Sequence, residues 1–132
     1  MTEVFHAVVW IDHHEARVFH FDADEVQLEE VHPKHPTRHI HHKANSVGSG
    51  HGSEDQNFFS AVVEAIGSAG EVLITGPASA KHELVKHIER HPSQLRARVV
   101  GVETVDHPTD RELLAHARRF FLASDRMESQ RV

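Results

Sequence analysis

The run Val4-Phe-His-Ala-Val-Val-Trp-Ile11 most limits what this chain can become. It is nearly continuous in apolar character and rich in β-branched and aromatic residues, and the polar Asp12-His13-His14-Glu15 follows at once. Strict polar/apolar alternation is missing, so apolar side chains fall on both faces of any strand formed here. Such a strand has to be covered on both sides, which places it at the centre of a sheet.

The rest of the chain supplies what that strand needs. Ala16-Arg-Val-Phe-His-Phe21 reads as a second strand, and Asp22-Ala-Asp-Glu25 as a turn before a third run, Val26-Gln-Leu-Glu-Glu-Val31. Links this short predict an antiparallel meander. Pro33 and Pro36 end it, because proline cannot donate to a strand ladder. Ser53-Glu-Asp-Gln56 has the form of a capping box, and Phe59, Val62, Val63 and Ile66 follow at helical spacing until Gly67 and Gly70. Glu71 to Thr75 predicts a short strand, Ser79 to His91 a helix packing through Leu84 and Ile88, and Arg96 to Val102 a last strand. Thr109-Asp-Arg-Glu112 is a second capping box, opening a helix that packs through Leu113, Ala117, Phe120 and Phe121. The expected order is β-β-β-α-β-α-β-α, a three-layer α/β domain with a mixed five-stranded sheet. It occupies residues 1–124, with a frayed tail at 125–132. Val8, Trp10, Phe19, Val62, Ile66, Leu73, Ile74 and Val100 are expected in one core.

Charge divides the chain unevenly. Residues 1–30 hold eight acids against Arg17 alone, whereas Val31 to Ser53 contains no acid. That second stretch carries Lys34, Arg38 and Lys43, six histidines and the glycine-rich Gly48-Ser-Gly-His-Gly52. Lacking apolar periodicity, it is expected to be an exposed loop over residues 32–53, and long loops in small domains are usually functional or disordered. No apolar run approaches the ~20 residues of a membrane span, and no secretory signal is visible at the first residues. The expectation is a soluble, cytoplasmic protein with no membrane contact. Cysteine is absent, so disulfides and thiolate zinc sites are excluded.

The order of elements is the ribonuclease H-like one, and short motifs sharpen the likeness. Val72-Leu-Ile-Thr-Gly-Pro77, followed by Ala80-Lys81 and Glu83-Leu84, resembles the strand, glycine-proline turn and lysine-bearing helix in the central domain of archaeo-eukaryotic release factors and Pelota. Asp12 to Phe19, DHHEARVF, resembles their first hairpin. In that family the connection from strand three to the first helix carries a Gly-Gly-Gln loop that helps water cleave peptidyl-tRNA. Here the same place holds Ser46-Val-Gly-Ser-Gly-His-Gly52, and Gln56 falls within the expected helix. The resemblance therefore implies a translation factor-like domain without the release catalyst. The family's flanking recognition and partner-binding domains have no counterpart in a chain one domain long.

Three chemistries compete for the basic segment and its surroundings. Lysine and arginine neutralise phosphate, and a glycine-rich backbone approaches it closely. On that ground the candidate RNA-binding residues are Lys34, Arg38, His39, His41, His42, Lys43, Gly48, Gly50, His51 and Gly52, with the ribosome or structured RNA as partner. A metal-binding module would use His39-Ile-His-His42, or His87 with His91. No cysteine or helical histidine pair steadies the loop cluster, and His87 or His91 is expected to cap its helix as a cation. A hydrolase would use either a loop histidine or Asp12, which sits where nucleases of this fold place a metal-binding aspartate. Two-metal chemistry needs several convergent carboxylates, but the fourth strand ends in Thr75-Gly-Pro, with only Glu54, Asp55 and Glu64 on the first helix. Arg96, Arg98, Arg118 and Arg119 read as solvated faces. The leading reading is a non-catalytic, cofactor-free RNA- or ribosome-binding module of translation, with the hydrolase and the metal-binding module as alternatives.

Overall fold

A computed structural model of the chain describes residues 6–33, 49–90 and 94–130. Its elements are β1 (His6–Ile11), β2 (Ala16–Phe21), β3 (Val26–Val31), α1 (Ser49–Ile66), β4 (Glu71–Gly76), α2 (Ala80–Arg90), α3 (Leu95–Arg98), β5 (Val99–Thr104) and α4 (Asp110–Gln130). The five strands form one sheet in the order β3-β2-β1-β4-β5. β1 pairs antiparallel with β2 and parallel with β4, β2 pairs antiparallel with β3, and β4 runs parallel to β5.

Both hairpins of the meander turn by the same device. In Asp12-His13-His14-Glu15 the Asp12 N–H donates to Glu15 O at 3.1 Å, and Asp12 Oδ1 accepts from the amides of His14 and Glu15. In Asp22-Ala23-Asp24-Glu25 the closing bond is 3.0 Å, and Asp22 Oδ1 accepts from Asp24 and Glu25. A short carboxylate thereby replaces the backbone acceptors that a tight turn lacks. The Glu25 amide, then the Asp24 amide, hold the Asp22 carboxyl below its ordinary value of 3.8, and the charge of Arg118 adds to the effect.

β1 divides the interior into two cores, because successive side chains point to opposite faces. Ala7, Val9 and Ile11 join Val18, Ile74, Phe59, Val62, Ile66, Leu84 and Ile88 beneath α1 and α2. Val8 and Trp10 join Phe19, Phe21, Leu73, Leu113, Ala117 and Phe121 beneath α4, with Phe120 partly buried beside them. The expected single core is therefore two, and Val100 belongs to neither. It is 40% exposed, because β5 is an edge strand whose register skips a residue there: Val72 pairs with Val99 and Leu73 with Gly101.

Three boundaries also differ from those the sequence predicts. Arg96-Ala-Arg98 is a helical turn, not strand: it buries Leu95 and aims Arg98 Nη1 at Ala69 O, 2.6 Å away. α4 runs to Gln130, since Ser124 to Gln130 contains no glycine or proline to stop a helix already nucleated. α1 starts at Ser49, one turn before the Ser53 box, so the connection expected over 32–53 ends at residue 48. Extending a packed helix through glycine costs only about 1 kcal/mol per residue, less than nucleation would. Its other end falls as expected: Gly67 adopts φ +60° and its amide donates to Val63 O at 3.1 Å, a conformation that favours glycine. The second capping box forms, with Thr109 Oγ1 accepting from the Glu112 amide and Glu112 Oε1 from the Thr109 amide.

Phe59, on the buried face of α1, is 2% exposed, so Phe59→Ala should lower unfolding free energy by about 3–5 kcal/mol in denaturant titration. Asp22 gives a pH signature. A depressed folded pKa contributes stability above the unfolded value and loses it as pH falls through the folded one. Asp22→Asn should thus melt below the parent at neutral pH, and the gap should close as pH drops below 3.8.

Candidate functional site

Parallel strands and helical crossovers make the two ends of this sheet unequal. β1, β3, β4 and β5 all run toward one end, and α1, α2 and α4 all begin there, each following a strand. Ligands in open α/β sheets bind outside the carboxyl ends of the strands, where helix N-termini leave backbone N–H groups without intrahelical partners. The centre of this end is tightly closed. A Cβ on Gly76 would lie 2.2 Å from Ile11 O, so glycine at the end of β4 lets the two central strands meet. Thr75 Oγ1 ties them further by donating to Val9 O at 2.8 Å.

Polar groups ring that closed centre. Lys81 is buried, and its Nζ donates to Ala78 O at 2.5 Å, pinning the Gly76-Pro77-Ala78-Ser79 turn. His13 Nε2 lies 3.4 Å from Glu83 Oε1, and Ser79 Oγ donates to Glu83 Oε2 at 3.3 Å. His107 stands 2.9 Å from Asp106 and 4.0 Å from Asp12 Oδ2, with its ring 5.0 Å from that of Trp10. Trp10 is fully buried and donates Nε1–H to Asp106 O at 2.6 Å, while the Arg17 guanidinium covers its ring and contacts Asp110. Asp12 has a structural role at this end, because its Oδ1 organises the first turn. Among the described residues, no three histidine or carboxylate side chains converge to hold a metal ion.

Lys34, Arg38, His39, His41, His42, Lys43 and Gly48 lie outside the described residues. The elements flanking them are placed, since β3 ends at Val31 and α1 begins at Ser49, both at the carboxyl end of the sheet. Gly50, His51 and Gly52 are brought into the first turn of α1 and not into a loop. No acid stands in that turn. Where the chain leaves β3, His32 lines a cavity of about 360 Å³ with Asn57, Phe58, Ser60, Ala61 and Glu64.

One polar cluster joins residues to which the sequence pattern gives other roles. His87 is buried between α1 and α2, with Nδ1 2.5 Å from Gln56 Oε1 and Nε2 3.3 Å from Ser60 Oγ. An amide oxygen only accepts, so Nδ1 carries the proton and Nε2 accepts from the serine hydroxyl. Gln56, expected to close a capping box, instead locks α1 to α2, and His87 is a core residue rather than an exposed cap. A signal for this exists in the sequence: His87 shares a helical stripe with Leu84 and Ile88. His91 lies outside the described residues.

No protein-family model and no curated protein matches the chain in sequence. Solved structures do match in fold. Pelota from Archaeoglobus fulgidus superimposes with a TM-score of 0.59 at 13% identity, over 98% of this chain and 38% of that one. Pelota from Thermoplasma acidophilum gives 0.55 at 16% identity, over 83% and 30%. The archaeal translation termination factor aRF1 gives 0.50 at 16% identity, over 96% and 40%. The chain thus spans 38% or less of the two Pelota chains, and what it shares with them is the ribonuclease H-like fold expected from the order of its elements.

Gly76→Ala tests the closed centre directly. Overpacking typically costs about 1–3 kcal/mol, and here the obstacle is backbone, so a loss at or above the top of that range is expected in thermal or denaturant unfolding.

Proposed function

We propose that this domain is a non-catalytic RNA- or ribosome-binding module of the translation apparatus, working in the cytoplasm through the basic stretch at residues 32–53. One observation carries the reading. The glycine-rich part of that stretch, Ser49-Gly-His-Gly52, is the first turn of the 18-residue helix α1 and contains no acid. The start of a long helix presents free N–H groups and the positive end of its dipole, and glycines let a phosphate come close to them. Lys34, Arg38 and Lys43 lie earlier in the same stretch, and the histidines at 39, 41 and 42 add charge below about pH 6.5. Likeness in fold to Pelota and aRF1 supports the translation setting. The turn role of Asp12 Oδ1 supports a reading in which nucleic acid is bound and not cut. No helix of the described residues is long and apolar enough to cross a membrane.

The test is the triple variant Lys34→Ala, Arg38→Ala, Lys43→Ala, which touches no described element of the fold. It should keep its melting temperature and lose co-sedimentation with ribosomes, or binding to structured RNA, at moderate salt. Each lost phosphate contact removes roughly 0.7–0.9 from the slope of log affinity against log salt, so the slope should flatten by about 2–3. Unchanged affinity and slope would sink the reading, and a hydrolytic activity abolished by His51→Ala would replace it with an enzyme.

A further inference from the structure

The outer edge of β3 is long and regular. Its six residues pair in unbroken register with β2, from Ala16 opposite Val31 to Phe21 opposite Val26, and among the described residues no strand lies on its other side. The opposite edge, β5, is broken by a bulge. Edge strands commonly protect themselves with charged side chains, proline, bulges or a covering element; Val26–Val31 has no proline or bulge, and its charges, Glu29 and Glu30, are both acidic. Every residue from Val26 to Glu30 is exposed.

Its side chains specify what would fit. On the α4 side stand Val26 and Leu28, 43% and 41% exposed, with Glu30 beyond them. Gln27 and Glu29 point to the α1 side. At the Gln27 end a cavity of about 350 Å³ opens between β3 and the end of α1, lined by His20, Glu25, Gln27, Ile66, Gly67 and Ala69. Its acceptors are the Glu25 carboxylate and carbonyls at the negative end of the α1 dipole. The chain's own Arg98 already donates to two of those carbonyls, Ala69 O at 2.6 Å and Gly67 O at 3.5 Å. With His20 Nε2 also 2.8 Å from Ile66 O, those carbonyls are already bonded, and the Glu25 carboxylate is what the cavity offers a guanidinium or ammonium group.

We propose that the β3 edge is a docking groove for an extended segment of a partner protein in which basic and apolar residues alternate. The segment adds a sixth strand through backbone hydrogen bonds, the usual geometry of strand addition. Its apolar residues cover Val26 and Leu28, and its basic ones face Glu29 and enter the cavity beside Glu25. A second copy of this chain is the wrong partner: pairing β3 with itself sets acid near acid, which is unfavourable across strands. The groove uses no residue of the 32–53 stretch, so this inference and the RNA-binding reading stand or fall separately.

Fluorescence anisotropy with a labelled peptide alternating arginine and valine tests it, against a peptide of the same composition in two blocks. The alternating peptide should bind about tenfold more tightly. Glu25→Lys and Glu29→Lys are exposed changes that should keep the melting temperature while weakening binding by a similar factor. Two further peptides, N-methylated on alternate backbone amides, read strand addition directly: one set faces β3 and the other faces away, so one peptide should bind and the other fail. Equal affinity for the alternating and block peptides, equal behaviour of the two methylated ones, or a dimer formed through β3 in light scattering overturns the proposal.

Discussion

β1 is needed by both halves of the interior at once. Its odd and even side chains enter separate hydrophobic cores, one beneath α1 and α2 and one beneath α4. Its two edges pair with β2 and β4. The strand can serve both partners only if β4 comes close at its end, which is why Gly76 sits against the Ile11 carbonyl. Trp10 extends the same dependence outward, since its indole N–H fixes the backbone at Asp106 just before α4. Both faces, the parallel half of the sheet and the entry to the last helix all rest on six consecutive residues.

Much of this is legible in the residues themselves. Unbroken apolar character at Ala7 to Ile11 admits a central strand and little else, and the two Asp-x-x-Glu links leave room only for hairpins. Helices declare themselves by period and by glycine, as at Gly67. The expectations that fail share a cause: tertiary context outweighs a local pattern. Val100 belongs to an alternating run, but a bulge at the sheet edge turns it outward. Ser53 and Gln56 spell a capping box, yet the helix begins before it and Gln56 finds His87. Arg96 and Arg98 alternate as in a strand, yet they lie in a helical turn that buries Leu95. The candidate RNA-binding residues follow from charge and glycine content alone. Only Gly50, His51 and Gly52 among them lie in described structure, where the surprise is that a glycine-rich stretch opens a helix.

Two surfaces of different character result. The carboxyl end of the sheet gathers the helix N-termini, the acids Asp12, Glu83, Asp106 and Asp110 and the anchors of a stretch that itself has no acid, while the β3 edge carries Glu25, Glu29 and Glu30 beside exposed Val26 and Leu28. A net charge of −6 conceals this division. Similar fold at 13–16% identity fits such a division: two buried cores constrain the framework, and the surfaces remain free to diverge.

The twin aspartate turns have a consequence for how the molecule comes to be folded. β1, β2 and β3 meet through loops of four residues, so their pairing closes almost no chain and loses little entropy. Joining β1 to β4 instead brings Val9 against Ile74, and everything between must be gathered first. Contacts that are local in sequence form sooner than distant ones. The duplicated turn thereby makes the meander a template, on which the slower parallel half is assembled.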